Sequence, residues 1–309
     1  SVLYSGKKGK HFLAANPSAE LKTESITELK KFQKKHQDKL LIGYIAYDTV
    51  YELLNIKRTT KETLKIPKVL FRAYTDWQEV ESSLESKETE SNTEKSRANT
   101  TDEQLKKFTP NLSKKEYEKG FKKIKNYIKD GDIYQVNYCQ KLKAKTKLKG
   151  DEIFMNAART NKVDHFAYID SEDFQIISAS PERFIRIKGG QIETKPIKGT
   201  RPRGATAELD KELLQDLINS PKEAAELNMI TDLLRNDIGK VSKPGSVKLK
   251  EHRAIQECAT VWHTYSHISG ELKLPALDAV ISMLPGGSIT GCPKKRATEI
   301  IDEIEPCNR

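Results

Sequence analysis

Apolar positions along the chain come in short runs with two different periods. LLIGYIAYD (40–48) is almost continuously apolar and rich in Ile and Tyr, which predicts a buried strand. Residues 82–110, SSLESKETESNTEKSRANTTDEQLKKFTP, carry almost no apolar groups and read as a polar linker or surface loop. That segment is the expected boundary between an N-terminal subdomain (1–81) and a catalytic region (111–309).

After the linker the pattern turns helical. In SKKEYEKGFKKIKNYIKDGD (113–132), Ser113 and Glu116 have the spacing of a capping box. Tyr117, Phe121, Ile124 and Ile128 fall on one face, and Gly131 ends the helix. IYQVNYCQKLKAK (133–145) alternates, with Tyr134, Val136 and Tyr138 on one side, and predicts a single strand. FAYIDSEDFQIISAS (166–180) predicts a hairpin, and RFIRIKGGQIETKPI (183–197) predicts another turned at Gly189-Gly190. A helical stretch covers about 207–238 and is interrupted at Ser220-Pro221, where serine caps a new helix with proline at its first position. Within it Ala224, Leu227, Ile230 and Leu234 repeat at helical spacing. ECATVWHTYSHISGEL (257–272) alternates as a strand, PALDAVISML (275–284) is helical, and a glycine loop leads to a last helix, PKKRATEIIDEI. Helices and strands mix without a regular βαβ repeat, so the expected class is α+β with substantial antiparallel sheet.

Composition narrows the setting. The 309 residues are enough to bury roughly three quarters of the unfolded chain's surface, as one large domain or two lobes. A net charge of +10 favours anionic partners. A nucleic-acid footprint would need a clustered patch with stacking aromatics, and no such motif occurs, so nucleic acid is not expected. Cys139, Cys258, Cys292 and Cys307 form neither a zinc spacing nor a disulfide framework, which points to a reduced, cytoplasmic setting. No apolar run is long enough for a bilayer, and no signal-peptide pattern opens the chain. The chain starts at Ser1 and stops at EPCNR, and trimming at both ends is expected.

Four groups of residues carry candidate chemistry. GGSITGCPKK (286–295) is a glycine loop feeding a helix, which suits an anion. It is not a P-loop, because Cys-Pro-Lys follows Gly291 and a helix rather than a strand precedes. A carboxylate-binding loop and an ordinary helix–loop–helix turn stand as equal readings. In SPKEAAELNMITDLLRND (220–237), Glu223 and Glu226 share a helix face and suit a hard cation such as Mg²⁺. Against that, Ser220 and Glu223 have capping-box spacing, and Glu226 also reads as a solvated carboxylate. Asp232, Arg235, Asn236 and Asp237 form a dense polar cluster open to structural pairing. In ASPERF (179–184), Glu182 suits a general acid if it is desolvated, and His263, in a strand beside Trp262, reads more often as a satisfied core histidine. KPIKGTRPRG (195–204) presents Lys198 between Ile197 and Gly199. A lysine attacks only when deprotonated, which burial or the nearby cations Lys195, Arg201 and Arg203 would favour. The alternative is a turn lysine in solvent.

GDIYQVNYCQ, SASPERF, KPIKGTRPRG, KEAAELNMITDLLRNDIG and LPGGSITGCPKKRATEIIDEIEP together resemble the ordered signature of the chorismate-utilising enzymes. That family comprises anthranilate synthase component I, aminodeoxychorismate synthase component I, isochorismate synthase and salicylate synthase. The resemblance is dense over 113–306 and looser before it, through IGYIAYD. It implies an α+β fold, a large α/β sandwich built on two mainly antiparallel sheets. Anthranilate synthases usually read PIAGT where this chain reads PIKGT, so the resemblance is nearest to the aminodeoxychorismate synthases. It implies that Lys198 adds to C2 of chorismate, that Glu182 is the general acid for the departing C4 hydroxyl, and that His263 faces the ring. It further implies Glu226 as a Mg²⁺ ligand with Glu223 as a neighbouring acidic position. Substrate would be held at Gly199, Thr200, Gly287, Ser288 and Thr290, with Lys294 in the same motif. Ammonia would come from a separate glutamine amidotransferase subunit, since no glutaminase constellation occurs in the chain. The family continues past EIEP with strands that carry a substrate-binding arginine and two more metal-binding glutamates, which this sequence lacks. Anthranilate or isochorismate synthase, and a truncated, catalytically silent binding subunit, are the other readings.

Overall fold

The computed structural model describes residues 2–4, 10–81, 108–160 and 163–309. Most of the polar segment expected at 82–110 therefore lies outside the described residues. The chain divides into two compact units that interleave in sequence. The first comprises Ser1–Asp132, Tyr138–Pro181 and Thr298–Arg309, and the second comprises Ile133–Asn137 and Glu182–Ala297.

In the first unit, β1 (Val2–Tyr4), β2 (Lys10–Leu13), β6 (Gln78–Glu81), β10 (His165–Asp170) and β11 (Gln175–Ser180) form a sheet in the order β11-β10-β1-β2-β6. β3 (Ala19–Thr23), β4 (Leu40–Ile45) and β5 (Val69–Tyr74) form a second sheet in the order β3-β5-β4. α1 (Ile26–Lys35) buries Ile26 and Leu29. α2 (Thr49–Leu53) follows β4 directly, so the apolar run at 40–48 is strand only as far as Ile45. α3 (Lys114–Lys129) forms where expected. The Ser113 hydroxyl accepts from the Glu116 N–H while the Glu116 carboxylate accepts from the Ser113 N–H, so both halves of the capping box are present. Its buried line is Gly120 and Ile124, whereas Phe121 is 50% exposed. The helix therefore sits rotated from the face its apolar residues suggest, because a Cβ at Gly120 would lie 2.4 Å from the Tyr138 hydroxyl and only glycine allows that approach.

The single strand expected over 133–145 does not form. It is broken into β8 (Gln135–Val136), which pairs with β17 (Gly291–Cys292), and β9 (Leu142–Lys143), which pairs with β7 (Thr109–Pro110). Tyr134 is 72% exposed and its N–H is bonded to the Cys292 carbonyl. Alternation predicts a half-buried strand only where a partner runs alongside, and here each partner is two residues long. α4 (Gly150–Thr160) completes the helices of the first unit up to the β10–β11 hairpin.

The second unit is built around β16 (Val261–Glu271). β13 (Gln191–Thr194) and β14 (Ile197–Pro202) lie end to end along one edge of it, and β15 (Lys248–Glu257) lies along the other. β12 (Arg186–Lys188) extends the sheet beyond β13 through a hairpin whose Gly189 and Gly190 have φ of +57° and +72°, the left-handed pair that a tight hairpin turn requires. α5 (Ala207–Asn219) ends at Ser220, and α6 (Pro221–Val241) starts there, with the Ser220 hydroxyl accepting from the Glu223 N–H. Only this half of the capping box at 220–223 forms, because the Glu223 carboxylate turns to Arg201. α7 (Ala276–Met283) follows β16. Leu234, Ile230, Ile238 and Val241 of α6 are buried with Ile192, Ile268, Ala279 and Met283. This core fixes α6 on the sheet and hence fixes which of its faces is left for other work.

Every strand pairing named above is antiparallel, so the α+β class with mainly antiparallel sheets is borne out. All four cysteines are free thiols. Among the described residues no helix is long and apolar enough to cross a membrane.

Candidate functional site

All the candidate residues belong to the second unit, and α6 organises them. Glu223, Glu226, Leu233 and Asp237 are spaced three, seven and four apart, so they line one flank of the helix beside the buried stripe. At 1.5 Å rise per residue, this flank runs about 21 Å from Glu223 to Asp237.

The N-terminal end of the flank meets β14. In the β14–β16 ladder Lys198 opposes Thr264 and Thr200 opposes His263, which leaves Gly199 as the unopposed residue of a bulge. Gly199 has a φ of +77°. A Cβ there would lie 2.9 Å from the Thr264 hydroxyl, 3.0 Å from Leu217 and 3.2 Å from the Glu223 Cβ. Glycine at this position therefore lets the strand lie directly against the first turn of α6. The Lys198 carbonyl accepts from the Thr264 hydroxyl, and its ammonium donates to the Ile197 carbonyl at 3.1 Å. The Glu182 carboxylate accepts from the Ile197 N–H at 3.4 Å. Glu182 and Lys198 are thus brought together on the same residue. The Thr200 hydroxyl and the His263 Nδ1 lie 2.9 Å apart, and the His263 ring is half-buried, so this histidine is not a buried core residue.

The cations that surround Lys198 in sequence are each compensated. Lys195 lies 3.7 Å from Glu251. Arg201 pairs with Asp216 at 2.5 Å and with Glu223 at 3.4 Å. Arg203 pairs with Asp210 at 2.7 Å and Glu257 at 2.9 Å and stacks over Trp262 at 4.2 Å. The Arg203 guanidinium and the Gly204 N–H together hold the Asp210 carboxyl well below the usual carboxylate range. These arginines anchor β14 to α5 and α6, and their charge is spent there.

The C-terminal end of the flank meets the glycine loop. α8 (Gly287–Thr290) is a single turn, and α9 (Lys294–Ile304) follows it after β17. A Cβ on Gly287 would lie 2.4 Å from Leu233, so the loop packs on α6 two turns beyond Glu226. The Ser288 hydroxyl is buried without a hydrogen-bond partner among the described residues. Thr290 is fully buried, and its carbonyl accepts from the Asn137 N–H at 2.9 Å. The Lys294 ammonium lies 2.6 Å from the Asp237 carboxylate and donates to the Met283 carbonyl at 2.8 Å. Burial pulls the Lys294 ammonium below its ordinary range, against the pull of Asp237.

For a metal, the donor set is partial. The Glu226 carboxylate is half-buried and without a hydrogen-bond or ion-pair partner among the described residues, whereas Glu223 is engaged by Arg201. Among the described residues no group of three or more His, Cys, Asp or Glu side chains could hold a metal ion. A Mg²⁺ ion commonly uses one or two carboxylates and completes its shell with water and substrate oxygens, a pattern that Glu226 meets while Glu223 is paired with Arg201.

Sequence reasoning did not find the Arg201–Glu223 and Asp237–Lys294 pairs. The signal for the second was present, since Asp237 stands eleven residues after Glu226, three helical turns on the same flank.

A family model described as a chorismate binding enzyme matches residues 2–309. The chain is 35% identical to aminodeoxychorismate synthase component 1 of Bacillus subtilis, over 94% of this chain and 66% of that protein. It is 45% identical to the protein of the same name from Klebsiella aerogenes, over 64% of this chain and 45% of that protein. The chain therefore spans about half to two thirds of the length of these curated relatives. Its fold matches the crystal structure of anthranilate synthase component I from Streptococcus pneumoniae, with a TM-score of 0.81, 27% identity and coverage of 99% of this chain and 79% of that one.

Proposed function

The chain belongs to the chorismate binding enzyme family, and we propose that within it this protein makes 4-amino-4-deoxychorismate from chorismate and ammonia, for para-aminobenzoate and folate synthesis. The observation that carries the reading is the convergence of Lys198 and Glu182 on Ile197, beside the turn of α6 that bears Glu223.

In the proposed sequence the neutral Lys198 amine bonds to C2 of the ring, both ring double bonds shift (C1=C2 to C1=C6 and C5=C6 to C4=C5), and the C4–O bond breaks. Glu182 gives its proton to the departing hydroxyl, which leaves as water. Ammonia then bonds to C4, both double bonds shift back, and the C2–Nζ bond breaks, releasing the lysine. One displacement with a poor leaving group becomes two easier ones. Thr200 and His263 would face the ring, and Gly287 and Ser288 would border it, where the unpartnered serine hydroxyl has a hydrogen bond to offer. Glu226 would hold Mg²⁺, with Glu223 as the neighbouring acidic position, and the ion would supply positive charge to the substrate's ring carboxylate. Ammonia would reach the site from a glutamine amidotransferase subunit, in keeping with the component 1 names of the relatives. The residue at 198 favours this product over anthranilate.

The test is to supply chorismate, Mg²⁺ and ammonium to the full-length protein and to identify the product by mass and ultraviolet spectrum. 4-Amino-4-deoxychorismate is expected. Anthranilate or isochorismate would replace the reading, and no turnover would leave a binding subunit. Chelation with EDTA is expected to abolish product formation, and excess Mg²⁺ to restore it. Glu226→Gln is expected to raise the Mg²⁺ concentration for half activity by more than the ~10–100-fold typical of losing a supporting partner. An unchanged Mg²⁺ titration would remove Glu226 from the metal site.

A further inference from the structure

We propose that Lys294 is a positioning residue that closes the base of the 284–293 loop and clamps it to α6, and that it does not bind substrate; this rests on the function proposed above. Met283 ends α7 and Lys294 begins α9, and the ten residues 284–293 separate them. The Lys294 ammonium donates to the Met283 carbonyl at 2.8 Å, so one side chain joins the two ends of the loop. The same ammonium lies 2.6 Å from the Asp237 carboxylate.

Asp237 is 1% exposed, and the Lys294 side chain is 12% exposed. A buried charge pair of this kind is held only where both partners remain matched. Four residues before Asp237, one helical turn away, Leu233 receives Gly287 from the middle of the loop. The loop thus touches α6 at two consecutive turns, with Gly287 against Leu233 and Lys294 against Asp237. The helix so gripped also carries Glu223 and Glu226 toward its other end. The pair therefore sets the distance between the glycine loop and the two glutamates, as a strut within one rigid helix. Asp237 also accepts from the Lys240 ammonium of its own helix at 3.1 Å, so the buried carboxylate faces two cations.

The experiment compares full-length wild type with Asp237→Asn, Lys294→Met and the double variant, which leaves no uncompensated buried charge. Hydrogen exchange is read by mass spectrometry without substrate, and chorismate kinetics are read separately. Peptides covering 284–293 are expected to exchange at least about tenfold faster in each single variant. kcat/KM is expected to fall by about 100-fold, the scale of a ~1 Å misplacement. The double variant is expected to be no worse than the weaker single, because both remove the same strut. A Lys294→Met variant with wild-type loop exchange and a raised KM, alongside a silent Asp237→Asn, would mean that Lys294 touches substrate and would overturn the proposal. The exchange measurement contains no chorismate, so its outcome does not depend on which product the enzyme forms.

Discussion

Lys198→Ala is expected to abolish formation of the 4-amino product while leaving the protein folded. The side chain is half-buried, and the hydrogen bond its ammonium makes is to the carbonyl of Ile197, its immediate neighbour in the chain. Removing it leaves the β14–β16 ladder intact, since that ladder uses the Lys198 backbone. The kinetic effect is expected to be at least ~10³-fold, which corresponds to about 4 kcal/mol of barrier, because the two-step route through the covalent intermediate is lost. Lys198→Arg should not rescue, because a guanidinium stays protonated at any accessible pH. Two measurements decide the matter. Steady-state rates with chorismate and ammonium should collapse in both variants, and rapid-quench mass spectrometry of wild type should find a peptide containing Lys198 heavier by chorismate less one water. Wild-type turnover by Lys198→Ala would dismiss the nucleophile assignment.

Gly291→Ala is expected to be the most damaging single substitution for stability at the site. Gly291 has φ +140° and ψ −172°, a region open to glycine alone. A Cβ would lie 2.2 Å from the Gln135 carbonyl oxygen and 2.9 Å from the Val136 Cα, which are backbone atoms of the paired strand. They cannot swing aside as a side chain would, so β8 and β17 must separate. Backbone strain of about 1–3 kcal/mol and overpacking of similar size add to about 4 kcal/mol. At roughly 2–4 °C per kcal/mol for a domain of this size class, the midpoint should drop by about 10 °C. Gly190→Ala is the control. It also has positive φ, but nothing lies within 4 Å of the added methyl. It should cost only the left-handed penalty of about 1–2 kcal/mol. Thermal denaturation of the two variants side by side tests the contrast, and equal midpoints would refute it.

Local chemistry was readable wherever the interacting groups are near in sequence. The capping box at Ser113 and Glu116, the helix break at Ser220-Pro221 and the turn at Gly189-Gly190 all formed as expected, since each depends on atoms a few residues apart. β15 was missed because Lys248–Glu257 is polar at most positions and is a strand only by virtue of β16 beside it. The alternation at 133–145 misled for the opposite reason, a strand-like pattern with almost no partner to pair with. At the site, Glu182, Lys198 and Glu223 were each legible as residues. That Glu223 would be engaged by Arg201, and that each cation near Lys198 would already be compensated, was not.

The sequence by itself determined the chemical inventory: a lysine beside a glycine that frees the strand to bulge, two carboxylates one helical turn apart, and a glycine-rich loop ahead of a lysine. It also determined the family, since ordered motifs along a chain need no coordinates to be recognised. Tertiary structure alone decided which charges remain available. Arg201 neutralises Glu223 across 22 residues, and Asp237 takes Lys294 across 57, while Glu226 on the same helix is left without a partner among the described residues. The physical reason is that electrostatic pairing depends on distance in space and on exclusion of water, and neither is encoded in the spacing of residues along the chain.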